Sequence, residues 1–284
     1  MKQGDKEKDV RAGTGDGIIV LKNITKKFGA NVVLDNVSLT VEKGKTTVVI
    51  GPSGCGKTVL IKHLIVLLRP SSGEVYFKDQ RIDDISERQL NEIRTHYGFL
   101  FQGGALFDSL SVFENIIFPL RQHCEVTDWK KVEELVKSKL AMVGLDGYQN
   151  YYPAKLSGGQ RKRVALARAI ALNPEVILYD EPTTGLDPIR SDVINELILK
   201  LQRELNITSV IVTHDMTSAY KVADRIIMLH KGKIIADGDA DHIRNHPHPV
   251  VQHFINGQVD GDDLAVLRMS GTVSQAQFLP RDFE

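Results

Sequence analysis

The chain has 284 residues, 42% hydrophobic and 25% charged, with 36 Lys plus Arg balanced by 36 Asp plus Glu. That is the make-up of a globular protein with ample core, and a formal charge of zero leaves no one-signed field to attract nucleic acid or anionic lipid, so any anion site must be local. The two cysteines, Cys55 and Cys124, form neither a CxxC pair nor a metal-ligand spacing, which excludes a zinc framework and points to a reducing, cytoplasmic setting without a structural disulfide.

Residues 1–17 are rich in Lys, Asp and Gly and lack the apolar run of a secretory signal, so they read as a disordered tail. From residue 18 to about 237, β-rich runs alternate with helical patterns, the rhythm of an α/β domain around a largely parallel sheet. β-Branched density predicts strands over 18–21, 37–41, 46–50, 74–77, 97–101, 176–179, 209–213, 226–229 and 233–236, with the first two and the last two antiparallel. Between 102 and 175 the strand signal fades, while 129–143 and 158–172 have helical character, which predicts a helical lobe inserted into the sheet domain. Val193, Ile194, Leu197, Ile198, Leu201 and Leu205 recur at the spacing that lines one face of a helix, which should cover the sheet. After His242 the chain turns polar, and His246, Pro247, His248 and Pro249 predict a break before an irregular tail. The longest apolar stretches, such as 64–68, fall far short of the roughly 20 residues that span a bilayer, so no membrane crossing is expected.

Residues 51–58 read GPSGCGKT, a complete GxxxxGK[ST] phosphate loop between the apolar strand 46–50 and the helical run 59–68. Gly51, Gly54 and Gly56 let the backbone of Gly51, Pro52, Ser53, Gly54, Cys55 and Gly56 curl so that N–H groups converge on phosphate oxygens, aided by the helix N-terminus. Lys57 supplies a mobile cation, and Thr58 is placed to offer its hydroxyl to a Mg²⁺ bound with the phosphates of ATP. A helix N-terminus and a nearby lysine would lower the Cys55 thiol pKa, but a small residue filling the loop explains Cys55 equally well.

Val176, Ile177, Leu178 and Tyr179 run into Asp180 and Glu181. Two carboxylates ending a buried strand are costly unless they meet a cation or a reaction. Asp180 can hold Mg²⁺ through water, and Glu181 can polarise the attacking water as general base.

Residues 156–160 read LSGGQ and continue as RKRVALARA to Ala169, which resembles the signature motif of ABC ATPases. The order of phosphate loop, Gln102, LSGGQ, Asp180-Glu181, Gly185-Leu186-Asp187 and His214 is similar to the complete ABC set over about 18–240. The resemblance implies an α/β P-loop fold with a mixed central sheet, an inserted helical subdomain over about 103–175 and an antiparallel β subdomain. It also implies roles for single residues. Phe28 would stack on adenine, and Gln102 would touch Mg²⁺ or water and report nucleotide state. His214 would contact the γ-phosphate and orient Glu181. Ser157, Gly158, Gly159 and Gln160 would form a second anion cradle at a helix start, facing the ATP bound by a second copy, with Asp187 across the same interface. Where the family usually carries a second hydroxyl after Thr58, this chain has Val59, which keeps its backbone N–H but loses a contact to the α-phosphate.

Within the family, GFLFQGGALFDSLSV over 98–112, VFENIIFPL over 112–120, NHPHPVVQHFINGQVDG over 245–261 and the terminal Leu279, Pro280 and Arg281 are similar to the ATPases of bacterial phospholipid-trafficking systems. That resemblance implies a membrane permease seated on 103–118, an Mce-type lipid-binding protein, a STAS-domain subunit, and an assembly role for the extension 241–284. The chain would then sit on the cytoplasmic face of the inner membrane through its permease. Other solute classes, and a soluble ABC protein of translation or repair, are the competing readings. Those soluble members carry paired domains or long coiled coils, which this sequence does not contain. A non-catalytic ATP-gated module would lack the base or the signature, and Glu181, Ser157 and His214 are all present.

Overall fold

A computed structural model of the chain describes residues 17–123 and 128–258. The predicted tail over 1–16, Cys124, and the terminal Leu279, Pro280 and Arg281 lie outside the described residues; Gly17 opens the first strand instead of closing the tail. The order is β1 (Gly17–Phe28), β2 (Asn31–Glu42), β3 (Thr46–Ile50), α1 (Lys57–Leu64), β4 (Ser72–Phe77), β5 (Gln80–Arg81), α2 (Glu87–Arg94), β6 (Tyr97–Leu100), α3 (Val112–His123) and α4 (Trp129–Met142). A 3-10 turn at Pro153–Lys155 then leads to α5 (Gly158–Ala169), β7 (Val176–Asp180), α6 (Pro188–Leu205), β8 (Thr208–Thr213), α7 (Met216–Val222), β9 (Arg225–His230), β10 (Lys233–Gly238), α8 (Ala240–Arg244) and α9 (Pro249–Ile255).

Two sheets organise these elements. One is antiparallel, in the order β2-β1-β4-β5, and the other is mixed, in the order β10-β9-β3-β8-β7-β6, with β10 antiparallel at its edge and the other five strands parallel. The central parallel strands β3, β7 and β8 are buried along their whole length because both faces are covered. Val48, Ile50, Ile177 and Tyr179 face one core with Ile116, Leu140, Leu166 and Ile198. Their neighbours Val49, Val176 and Leu178 face a second core with Leu60, Ile61 and the antiparallel sheet. Asp35 N–H to the Gly232 carbonyl at 2.9 Å, and Arg225 Nη1 to the Thr40 carbonyl at 2.8 Å, join the sheets.

All nine predicted strands form, and both predicted antiparallel pairs hold. β1 and β2 run well past their apolar cores because bulges carry the pairing through polar residues, with Asn23 and Asn36 in left-handed backbone that Asn tolerates. The additional strand β5 is two residues long, closed by a turn at Lys78 and Asp79, both at positive φ, and is too short to show a period.

Four expectations need correction. Val193 is exposed, so the buried face of α6 is Ile194, Asn195, Ile198 and Leu201. Helices α1 and α5 end at Leu64 and Ala169, short of the expected 68 and 172, and Val66 at φ 50 closes the first of them. The irregular tail after His242 is instead helical in its described part. Asp239 caps α8 by accepting from His242 N–H at 2.7 Å, and His248 Nδ1 accepts from Val250 N–H at 3.2 Å with Pro249 at the first helical position. The Pro that reads as a break is a helix start. Val251 is fully buried, and Phe254 and Ile255 pack on the larger core.

Candidate active site

Topology delivers the site. β3, β8 and β7 are adjacent and parallel, Ile50 pairs with Thr213, and Asp180 pairs with Val212. The phosphate loop, the two acids and His214 therefore leave the same sheet edge, outside the carboxyl ends of the strands, where open α/β sheets place their ligands.

In the loop, a Cβ on Gly51 would sit 2.1 Å from the Leu229 carbonyl oxygen, and Gly56 takes φ 110 where α1 begins. Neither position accepts another residue without moving backbone. Pro52 is half-buried and Ser53 and Gly54 are exposed at the loop crest. Lys57 Nζ donates to the carbonyls of Gly51 at 2.7 Å and Pro52 at 3.0 Å, wrapping the side chain around the loop. Cys55 is buried, and burial pushes its thiol pKa up despite Lys57, so the small-residue reading holds and the reactive-thiol reading does not. Val59 is half-buried against the second core.

Thr58 Oγ1 lies 3.3 Å from Asp180 Oδ1. Burial raises the Asp180 pKa, which the Thr58 hydrogen bond only partly offsets. A buried carboxylate held beside a hydroxyl is a donor set of hard oxygens that suits Mg²⁺.

Glu181 is 9% exposed and takes φ 51, a left-handed backbone that costs a non-glycine residue roughly 1–3 kcal/mol and must be held by its surroundings. Its carboxylate accepts from Thr184 Oγ1 at 3.0 Å and lies 2.9 Å from His214 Nδ1. Its N–H donates to the Val212 carbonyl at 2.9 Å. A carboxylate at Nδ1 fixes the imidazole's orientation and keeps the other ring nitrogen available.

The signature turn is built as a capping box. Ser157 Oγ accepts from Gln160 N–H at 3.3 Å, while Gln160 Oε1 accepts from Ser157 N–H at 2.8 Å. Gln160 Nε2 also donates to Tyr148 at 3.1 Å. A Cβ on Gly158 or Gly159 would make only ordinary contacts, at 3.7 Å to Leu186 and 3.6 Å to Arg190. Packing within one chain therefore does not require glycine there. Asp187 caps α6, accepting from Arg190 N–H at 2.9 Å, and the neighbouring Ile189 is 79% exposed.

Lys57, Thr58, Asp180, Glu181 and His214 thus converge. The hydrogen bonds of Ser157 and Gln160 run within their own turn and to Tyr148, and Asp187 sits at the start of α6. Phe28 is half exposed, with Lys26 Nζ 5.2 Å from its ring centre, so it is free to stack instead of filling a core. Gln102 lies exposed in the turn after β6.

Sequence reasoning missed two basic residues of α5. Lys162 is 6% exposed and donates to the carbonyls of Glu181, Pro182 and Thr184, and desolvation lowers its pKa from 10.5 to about 8 against the pull of Glu181. Arg168 donates to the carbonyls of Gly104 and Ala105, just after Gln102. Both look like ordinary surface cations in the sequence, because their acceptors are backbone atoms.

Residues 34–184 match the profile of the family described as ABC transporter. The chain is 43% identical over 244 residues to the intermembrane phospholipid transport system ATP-binding protein MlaF of Haemophilus influenzae, covering 86% of this chain and 92% of that one. It is 40% identical over 240 residues to the probable ribonucleotide transport ATP-binding protein mkl of Mycobacterium tuberculosis, covering 84% and 67%. Among solved structures, the ATP-binding cassette MJ0796, a dimer in a post-hydrolysis state bound to ADP and Pi, superposes with a TM-score of 0.72 at 35% identity, over 78% of this chain and 98% of that one. With a phosphate loop, paired acids and a strand-end histidine at one sheet edge, and a capped LSGGQ turn on a separate helix, the chain belongs to the ABC transporter ATPase family.

Proposed function

We propose that this ATPase powers phospholipid transport through a separate membrane permease, working as a pair of identical copies that enclose ATP between them. The observation that carries the paired arrangement is the signature turn. Its glycines meet no steric demand within the chain, and Ile189 and Val193 leave apolar surface exposed at the start of α6. An approaching nucleotide and a second copy supply what the single chain does not. Ser157 and the N–H groups of Gly158 and Gly159 face the ATP held by the Lys57 loop of the partner, with Gln160 holding the turn and Asp187 beside it.

Within each copy, Phe28 stacks on adenine, the N–H groups of residues 51–59 and Lys57 bind the phosphates, and Thr58, Asp180 and Gln102 hold Mg²⁺, which supplies charge neutralisation at the phosphates. Glu181 accepts the proton of the attacking water, and His214 fixes the carboxylate's direction and meets the γ-phosphate.

The lipid cargo rests on the likeness to MlaF, of which the chain spans 92%, against 67% of mkl, whose name states a different cargo. Among the described residues no helix is long and apolar enough to cross a membrane. The likeness to MlaF supports docking on a permease from the cytoplasmic side. The docking surface is a groove of about 420 Å³ lined by Phe99, Phe101, Ala105, Phe107, Phe118 and Arg168. An Mce-type lipid-binding protein and a STAS-domain subunit complete the assembly, which the extension from 241 onward helps to hold. Purification of the assembly in detergent tests this. A permease with an Mce-domain partner and bound phospholipid is expected; a different solute-binding partner without lipid contradicts the cargo.

A further inference from the structure

We infer that Lys162 is a positioning residue for ATP hydrolysis, its ammonium tying the signature helix α5 to the stretch of backbone that carries Glu181. The inference rests on the reading of Glu181 as general base. Lys162 Nζ donates to the carbonyls of Pro182 at 2.6 Å, Thr184 at 2.9 Å and Glu181 at 3.2 Å. An ammonium has three donors and no acceptor, so one short loop satisfies the whole group. No carboxylate oxygen takes part in these bonds. A cation this buried without a directly paired charge is costly unless geometry fills every donor, which is the case here.

The acceptors explain why the cation is there. Glu181 holds its left-handed backbone at φ 51, and the 2.9 Å approach of its carboxylate to His214 depends on where that backbone points. Carbonyls 181, 182 and 184 aimed at one nitrogen fix three peptide planes at once. The chain then passes through Gly185, at φ 79, to the Asp187 cap of α6. Helix α5 is gripped at its other end as well, where Arg168 Nη1 and Nη2 donate to Ala105 at 2.8 Å and Gly104 at 2.9 Å. One helix therefore connects the Ser157 turn, the loop after Gln102 and the backbone of the base. A displacement at either end of α5 reaches Glu181 through Lys162.

The test uses the full chain with ATP and Mg²⁺, following steady-state hydrolysis and equilibrium ATP binding for Lys162→Met, Lys162→Gln and Glu181→Gln. Lys162→Met is expected to lower kcat about 10- to 100-fold, the range that a misplacement of roughly 1 Å costs. ATP affinity should stay within about two-fold, because none of the Lys162 bonds reaches the phosphate loop. Unchanged affinity also reports a folded variant. If Lys162→Met does not fold, Lys162→Gln, which still donates, is expected to bind ATP normally and turn over more slowly than wild type. Wild-type kcat in either variant, or a loss confined to KM, overturns the proposal. Inert Glu181→Gln beside fully active Lys162→Met overturns the anchor alone. Fully active Glu181→Gln overturns the base assignment and the anchor with it.

Discussion

His214 Nδ1 lies 2.9 Å from Glu181 Oε2, and the two residues follow the ends of strands β8 and β7, which pair in parallel. The pair is therefore set by sheet register as well as by local contacts. His214→Ala should lower kcat about 10-fold or more while ATP binding is retained, since orientation of a general base is worth less than the base itself, at about 10²- to 10⁴-fold. Steady-state hydrolysis at saturating ATP measures it, and undiminished turnover would remove His214 from the mechanism.

Lys57→Ala should weaken ATP binding by about 10- to 150-fold, because a charged phosphate contact is worth roughly 1.5–3 kcal/mol. Its bonds to the Gly51 and Pro52 carbonyls show that the ammonium already reaches around the loop. Equilibrium titration with ATP checks this, and unchanged affinity would contradict the assigned contact.

Val59→Thr adds the hydroxyl that the family usually carries. Tighter ATP binding by about two- to ten-fold is expected from one added hydrogen bond of roughly 0.5–1.5 kcal/mol. Val59 packs on the second core, so the melting temperature should fall slightly in the same variant. An unchanged dissociation constant would show that the missing hydroxyl has no consequence.

Activity should also decline as pH rises through about 8, where Lys162 loses its proton and two N–H donors are left for three carbonyls. The sign separates this from unfolding. The folded pKa lies below the ordinary 10.5, so between about 8 and 10.5 the unfolded chain binds more protons and this group makes the fold more stable with rising pH. A pH–rate profile beside a pH–melting profile tests it, and an alkaline loss that persists unaltered in Lys162→Arg would assign the limb to another group.

Asn115 is fully buried on α3; its two amide hydrogens are shared among the carbonyls of Phe107, Leu110 and Ser111, and its Oδ1 accepts from Phe107 N–H. It pins the loop between Gln102 and α3, beside the groove. Asn115→Leu removes the partner of the Phe107 N–H and the Leu110 carbonyl, while the N–H groups of Leu110 and residue 115 still reach the Phe107 and Ser111 carbonyls, and should cost about 1–3 kcal/mol per unpaired group that water cannot reach. Thermal unfolding measures the cost, and loss of permease co-purification at a temperature where the variant remains folded would assign the loop to docking.

A truncation that tests the C-terminal extension has to spare the domain. A deletion after Val251 removes Phe254 and Ile255, which pack on the core, so it would destabilise the domain itself. Ending the chain at Gln258 leaves α9 whole, and an intact assembly after that deletion would dismiss the idea that the later residues clasp a partner.

Much of this was legible in the residues because the signals were local. The 48–50 and 176–179 runs are wholly apolar, and the motifs that follow them mark strand ends, so the residues themselves bring the two motifs to one end of a sheet. Helices α2 and α3 were missed although each starts with a capping box, Ser86 with Gln89 and Ser111 with Glu114. An S-x-x-E/Q pattern would have found them. Pro119 inside α3 and the His-Pro pairs before α9 read as breaks, and the α9 cap, His248 Nδ1 on Val250 N–H, follows no such pattern. Lys162 and Arg168 were illegible for a different reason: a side chain bonding to distant carbonyls leaves no trace in spacing or composition.

The proposed pairing makes each reaction centre depend on two copies of the chain. The direct measurement is sedimentation of Glu181→Gln with and without ATP and Mg²⁺, beside the concentration dependence of wild-type turnover. A species of twice the chain mass is expected only with nucleotide, together with a specific activity that rises with protein concentration. A Glu181→Gln chain that stays monomeric in saturating ATP, together with wild-type activity per chain that does not change on dilution, would contradict it.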